Sequence, residues 1–448
     1  MPDSLGKQAV VVGAGIGGLA AAKVLSGHFD NVTVLDRDTL PDQPEPRSGT
    51  PQARHGHGLL GSGQACLAEL FPGFTQQLED AGAVRARAGL DIWWERPGFD
   101  PFPLRDLGFD SFFMSRSLLE FVVRQCLERQ PNVTLRPKCR VTEFVTSPNR
   151  NVITAVRFQN AGGKPETLNT DLVIDSSGRG ALTMDMLQHL GAPAPPQTEI
   201  GIDINYASVI FAVPDDAPMP WKGLMHVGTP DAPRGGLVFP IEHRQWMISL
   251  GGVHGDIPPG DLEGFTEFAR SFRTPTVYNA IRSAKPMTEV ARFTTPGSFR
   301  RHFDRMSNFP SGLLPLGDAI CRFNPLYGQG MSVAAQEACA LRDVLATQVR
   351  TADPLGSLAA AYFNRIKNLL DAPWGTAEID MVFPQTRGER PADFERRMEY
   401  GKALRQLAAE DPEIHRLLAE VSGLQKPPSV LSEPKLAERV MRLMQAAA

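Results

Sequence analysis

Residues 8–36 restrict what this chain can fold into more than any other stretch. Gln8-Ala-Val-Val-Val12 is a short apolar run, suited to a strand buried on both faces. It enters Gly13-Ala-Gly15-Ile-Gly-Gly18, which opens a helix-like stretch, Leu19–Leu25. A second β-branched run, Asn31-Val-Thr-Val-Leu35, ends at Asp36 with Arg37 beside it. Each part has a physical job. Gly13 permits a tight turn, Gly15 lets the backbone approach a pyrophosphate, and Gly18 lets helix and strand pack closely. The start of the helix offers free N–H groups and a positive dipole end to phosphates. Asp36 stands where a carboxylate accepts hydrogen bonds from a ribose diol. The order of strand, glycine turn, helix, strand and acid predicts a Rossmann-like dinucleotide-binding unit. Alone, it does not separate FAD from NAD.

Length and charge bound the rest. At roughly 150 residues per domain, 448 residues allow two or three domains. The formal net charge is −4 and no basic tract stands out, which argues against a nucleic-acid partner. No run of about 18 apolar residues is present, so no transmembrane helix is expected. Met1–Lys7 is short and polar, unlike a secretory leader, so a cytoplasmic location is expected. Cys66, Cys126, Cys139, Cys321 and Cys339 are scattered and form no C-x-x-C pair. That fits a reducing compartment and buried thiols, and neither a disulfide framework nor a metal site is expected.

A second signal lies far along the chain. Ser311-Gly-Leu-Leu-Pro-Leu-Gly317-Asp318 reads as a short strand delivering an acid. Asn324-Pro325-Leu-Tyr327-Gly328-Gln-Gly330-Met331-Ser332 is a glycine-broken loop. It leads into a helix with Val333, Ala334, Ala338, Leu341, Val344 and Leu345 on one face. Asp318 at a strand end suits the ribityl hydroxyls of a flavin. Gly328 and Gly330 let backbone lie against a flat ring. The helix starting near Met331 aims its positive end at the ring edge that becomes negative on reduction.

These segments together resemble the FAD-dependent monooxygenases of the p-hydroxybenzoate hydroxylase fold. Asp318, Pro325, Gly328, Gly330 and Met331 match the family's later motif position by position. The intervening family motif corresponds to Asp171-Leu-Val-Ile-Asp175-Ser-Ser-Gly178, which keeps Asp175 and Gly178 but departs from the usual wording. Arg47-Ser-Gly-Thr-Pro-Gln52-Ala-Arg54-His55-Gly-His57-Gly58 is similar to a bacterial subgroup that includes polyether epoxidases such as the lasalocid epoxidase. The similarity runs over most of residues 8–350.

The resemblance implies an α/β fold: a Rossmann-like FAD-binding domain of the GR2 type, an inserted mixed β-sheet substrate domain and a C-terminal helical segment. The expected divisions are 1–75, 105–180 and 300–355 for the FAD domain, 76–104 and 181–299 for the substrate sheet, and 356–448 for the tail. It also implies cofactor contacts for Arg54, His55, Arg116 and Val141, and places His57 and Tyr327 as candidates for acid–base work. The implied reaction inserts one oxygen atom from O2 into a lipophilic small molecule in secondary metabolism. Epoxidation or hydroxylation would proceed through a C4a-hydroperoxyflavin. Electrons would come from NAD(P)H directly or through a separate flavin reductase, since there is no second glycine fingerprint. Two other readings stand: a reductase or dehydrogenase of the geranylgeranyl reductase type, and a non-catalytic flavin-binding protein. A flavin halogenase is disfavoured, because Trp93-Trp94 does not match a Trp-x-Trp-x-Ile-Pro motif.

Overall fold

The apolar runs at each end of the catalytic region become neighbouring strands. In the computed structural model, which describes residues 4–149, 151–215 and 219–447, five parallel strands form one sheet. Their order is Leu313–Pro315, Leu172–Asp175, Gly6–Val12, Phe29–Leu35 and Val133–Arg136. Ala9, Val10 and Val11 are fully buried, as a central parallel strand covered on both faces requires. The helix Ile16–Leu25 lies on this sheet with nearly every residue buried. The helix Arg116–Glu128 begins at Ser115, whose Oγ accepts the Leu118 N–H at 3.1 Å. A three-stranded antiparallel sheet, Arg140–Thr146, Ile153–Gln159 and Pro165–Asn169, joins this half.

The second half is an eight-stranded sheet. Its main path runs Cys321–Arg322, Ala291–Arg301, Gln197–Ala212, Gln245–Gly252, Gly235–Ile241, Gly223–His226 and Ile92–Glu95. All these pairs are antiparallel except the last, so the sheet is mixed. In the sequence, Leu237-Val-Phe-Pro-Ile241 and Trp246-Met-Ile-Ser-Leu250 flank Glu242-His243-Arg244-Gln245, a hairpin signal, and the hairpin is present. His243 and Arg244 both have positive φ (62° and 55°), the backbone of a tight primed turn. One sheet face is closed by the helices Leu262–Arg270 and Thr276–Ser283 through Phe211, Trp246, Ile248, Phe265 and Phe268. The opposite face looks toward the nucleotide-binding half.

The tail is helical, with Phe394–Glu410, Pro412–Ser422 and Pro434–Ala447 as its longest members. Its apolar faces close on Phe102 with Ala403, Leu404, Ala408, Ile414 and Val440. The chain therefore has the α/β architecture its sequence predicts, with the helical C-terminus docked at the Ile92–Glu95 end of the large sheet. No helix among the described residues is long and apolar enough to cross a membrane.

Candidate functional site

Three strands end in one row: Val12 is opposite Asp175, and Asp175 is opposite Pro315. Their carboxyl ends deliver Gly13, Ser176 and the Gly317-Asp318 turn to the same sheet edge, where ligands of open α/β sheets bind. The glycines are needed there. Gly13 has φ 101°, and a Cβ on it would lie 2.5 Å from the Ser176 carbonyl oxygen. A Cβ on Gly18 would lie 1.9 Å from the Gly13 carbonyl oxygen. The helix Ile16–Leu25 starts at Gly15 with no side-chain cap and no acid in its first turn. Its leading N–H groups are left for an external acceptor. Among the described residues, the side-chain atoms within 4 Å of a Cβ position on Gly15 belong to Arg116 and Glu120.

The distant motif closes against this turn. A Cβ on Gly17 would touch Leu316 at 2.8 Å and Ala334 at 3.0 Å, so the two glycine-led helices pack directly. Gly328 (φ 64°) faces Gly58, 3.5 Å from its Cβ position, and Ser332 Oγ accepts the Leu60 N–H at 2.9 Å. Nothing stands within 4 Å of a Cβ on Gly58. The helix Gly330–Gln348 also begins without a side-chain cap. Asp318 Oδ1 is 3.8 Å from the Cβ position of Gly330. Its side chain is accessible, yet protein surrounds it deeply enough that burial raises its proton affinity, partly offset by Arg116 and Arg322. An accessible side chain at such depth lines a cleft. Among the described residues its carboxylate accepts no hydrogen bond. A bare carboxylate beside two uncapped helix starts and a strip of side-chain-free backbone fits the donors and flat face of FAD.

Several expected contacts fall elsewhere. Asp36 is buried, and its carboxylate accepts Ala14 N–H at 2.6 Å, Asp38 N–H at 2.8 Å and Arg47 Nη1 at 3.2 Å. The acid assigned to a ribose thus also fastens the glycine turn from inside. Asp175 has no exposed surface; it takes Ser177 N–H and Oγ and Thr183 N–H and Oγ. Four donors fill its lone pairs, so Asp175 caps the following turn and is not a ligand contact. Gly178 next to it has φ 94° and open space where a Cβ would be. Arg37 and Arg54 are exposed. Val141 sits half-buried just after Cys139, whose N–H bonds the Asp36 carbonyl at 2.8 Å. Arg116 Nη2 lies 3.9 Å from the Gly15 Cβ position and pairs with Glu120 at 2.8 Å. Pro325 is exposed and Met331 buried at the loop's two ends.

The two acid–base candidates have proton affinities shifted in opposite directions, His57 downward and Tyr327 upward. His57 Nδ1 is 2.8 Å from the His55 carbonyl and must be the protonated nitrogen. Burial, with Arg116 adding to it, lowers its pKa to about 3. His55 Nδ1 bonds Ser208 Oγ at 2.8 Å, and burial with Arg54 lowers its pKa to about 4. It anchors the 55–58 segment to the large sheet. Gly56 N–H does the same, bonding Ser249 Oγ at 3.0 Å. Tyr327 donates its hydroxyl hydrogen to Asp380 at 2.7 Å, and burial drives its own pKa far upward. Asp380, from the tail, was not foreseen. It also accepts Asn324 Nδ2 at 2.9 Å, and burial raises its pKa to about 6. Arg47, Glu120 and Glu337 are likewise additions. For Glu120 and Glu337 the signal was a charged residue amid apolar neighbours, most visible in Glu120 on the helix that Arg116 opens; Arg47, set among Pro, Glu, Ser and Gly, gave none.

No protein-family model matches the chain. The kynurenine 3-monooxygenase of Salinispora arenicola is 25% identical over 386 residues, covering 79% of this chain and 76% of its own. The solved structure of PqsL, a probable FAD-dependent monooxygenase from Pseudomonas aeruginosa, superposes with a TM-score of 0.60 at 16% identity, covering 85% of this chain and 98% of that one. The shared feature is the fold. Protein Rv3254 of Mycobacterium tuberculosis is 31% identical over 365 residues, 79% of this chain and 75% of that protein. At that identity and coverage, the chain belongs to the family of the mycobacterial protein Rv3254.

Proposed function

We propose that this chain is an FAD-dependent monooxygenase that inserts one oxygen atom from O2 into a lipophilic small molecule, by epoxidation or hydroxylation, in secondary metabolism. The observation that carries the reading is the meeting of the Gly13–Gly18 turn with Asp318 and the Gly330 helix start at one strand edge. The likeness to a kynurenine 3-monooxygenase supports it. Bound FAD would supply electrons that activate dioxygen, drawn from NAD(P)H or from a separate reductase.

The chain's own residues do the rest. The uncapped N–H groups after Gly15 hold the pyrophosphate, and Asp318 accepts from the ribityl hydroxyls. The start of the Gly330 helix stabilises negative charge on the ring. His57 stays neutral at working pH, so it offers an acceptor nitrogen and no positive charge. Tyr206 and Phe293 stand 4.6 Å and 5.8 Å from the His55 ring and add apolar wall. Such walls exclude water and orient the substrate. Epoxidation needs no side-chain base, in keeping with the poor bases found here. Among them Asp380 has the highest affinity below neutrality, and Tyr327 already occupies it.

Asp318→Ala tests the assignment. The purified parent should be yellow with bound FAD, and the variant should lose flavin at least about tenfold more readily on dialysis, as expected for one lost charged hydrogen bond. Equal flavin occupancy would refute the role given to Asp318. A substrate pool transformed only with O2 present, with one labelled oxygen gained from labelled O2, separates an oxygenase from a reductase, which would work anaerobically.

A further inference from the structure

The far end of the large sheet carries charge that no acid among the described residues pairs with. Five residues stand in one register row: Ser208 opposite Ser249, Ser249 opposite Leu237, Leu237 opposite Met225, and Met225 opposite Trp94. Residues paired in this way share a face. One end of the row lies at the candidate site, because His55 bonds Ser208 and Gly56 bonds Ser249. Met225 and Trp94 are only half-buried, so the far part of the row keeps apolar surface open. Four inter-strand steps of about 4.8 Å put Trp94 roughly 19 Å from Ser208.

At that far end the Arg96 guanidinium carbon lies 4.2 Å from the Trp94 ring centre and 5.6 Å from that of Phe102. Phe102 meets the His415 ring edge-on at 4.8 Å. Arg405 joins from the helix Phe394–Glu410, close enough that its charge adds to burial in lowering Arg96 to about 10. Among the described residues neither Arg96 nor Arg405 has an ion pair or a side-chain hydrogen bond. His415 is 9% exposed, and its buried Nδ1 has no partner among the described residues. Burial, Arg105 and Arg96 together hold that ring neutral, near 4. Two half-buried guanidiniums and an unsatisfied ring nitrogen are costly to gather without an anion among them. Arginine's planar fork, seated on aromatic rings, is the donor set that carboxylates and related oxyanions fit.

We infer that Arg96, Arg405 and His415 form an anion subsite, which binds the acidic end of an elongated apolar substrate whose reacting end lies near His57 and Gly58. The position of the reacting end rests on the oxygenase reading; the anion subsite stands on its own residues. The substrate class is then a long lipophilic acid.

The test uses the FAD-loaded full-length protein and two dyes of like shape, anionic 8-anilinonaphthalene-1-sulfonate and uncharged N-phenyl-1-naphthylamine. The sulfonate should saturate one site and be displaced by sodium sulfate, with the amine unaffected by sulfate. Arg96→Gln and Arg405→Gln should each weaken the sulfonate about tenfold, the order expected for one charged hydrogen bond. The amine should not respond, and Arg405→Lys should retain most of the affinity. Unchanged sulfonate affinity in either Gln variant, or no sulfate competition in the parent, would overturn the inference. The sulfate experiment needs no variant to fold. Flavin absorbance, read alongside, distinguishes the two ideas. Protein without flavin that still discriminates the dyes counts against the oxygenase and for the subsite. Flavin-loaded protein that treats the dyes alike does the reverse.

Discussion

Arg47→Met will destabilise the chain by about 3–5 kcal/mol, the loss typical when one member of a buried charged group goes and its partners stay. Arg47 is 6% exposed at its side chain and serves three carboxylates at once. Nη1 reaches Asp36 at 3.2 Å and Asp38 at 3.0 Å, while Nε and Nη2 reach Glu120 at 3.2 Å and 3.0 Å. Nη2 also donates to the Ala14 carbonyl at 3.4 Å. Burial alone would lower its proton affinity, but Glu120, Asp36 and Asp38 outweigh that and raise it. Without Arg47 the acids face one another in the interior, and only Arg116 remains on Glu120. Urea unfolding followed by far-ultraviolet ellipticity measures the loss. Arg47→Lys should recover part of it, because one ammonium cannot point to Glu120 and to the two aspartates together. Adding Asp38→Asn to Arg47→Met should recover part as well, by removing one uncompensated charge. Flavin retention should fall in parallel, since the same cluster fixes the peptide between Gly13 and Gly15. A change within about 0.5 kcal/mol of the parent, the size of an ordinary surface substitution, would show that the cluster does not hold this loop.

The nucleotide half was legible because local chemistry dictates it. Glycine at 13 and 18 is set by backbone contacts that no side chain can share, so the requirement shows in the letters themselves. The apolar run at residues 9–12 declared a central strand for the same reason: burial on both faces leaves no place for a polar residue. The hairpin at 242–245 was visible as two apolar runs around a polar turn, although its positive φ angles fall on His and Arg rather than on glycine. What stayed hidden is contact between distant segments. Asp36 looked like a free acceptor because Arg47 and the Ala14 amide reach it only once the loop folds back. Asp175 looked like a motif residue because the Thr183 hydroxyl that fills it lies in the first turn of the next helix, Ala181–His189, eight residues on. Asp380, Arg405 and His415 lie in a tail whose amphipathic pattern announced helices but not what they cover. An unpaired charge is invisible in sequence, where every arginine has an acid somewhere nearby.

Glu337→Gln will remove most of the alkaline loss of stability that the parent should show between pH 6 and 8. Glu337 is fully buried on the helix Gly330–Gln348, directly behind the turn that carries Asp318. Oε2 accepts the Gly317 N–H at 2.5 Å; among the described residues Oε1 has no partner, nor does the buried Tyr362 hydroxyl. Burial, with Asp318 adding to it and the Gly317 bond opposing, raises its pKa to about 8. The native chain therefore keeps this proton where the unfolded chain, near 4.3 for Glu, has lost it. Stability then falls as pH climbs from that value toward 8 and levels beyond it, by up to about 1.4 kcal/mol per unit. Asp380, raised to about 6, adds the same sign of slope only below that point, so the interval from 6 to 8 reports Glu337 alone of the two. Glutamine keeps a carbonyl for Gly317 and has no proton to lose. Its unfolding midpoint should stay nearly flat across that interval and exceed the parent's at pH 8, with the two close at pH 5. Parallel profiles from pH 6 to 8 would mean that Glu337 is ionised in the native chain. The same proton bears on the cofactor cradle. Ionised Glu337 would place a second negative charge behind Asp318, so flavin release from the parent should quicken above pH 8 while the Gln variant holds its flavin through the same range.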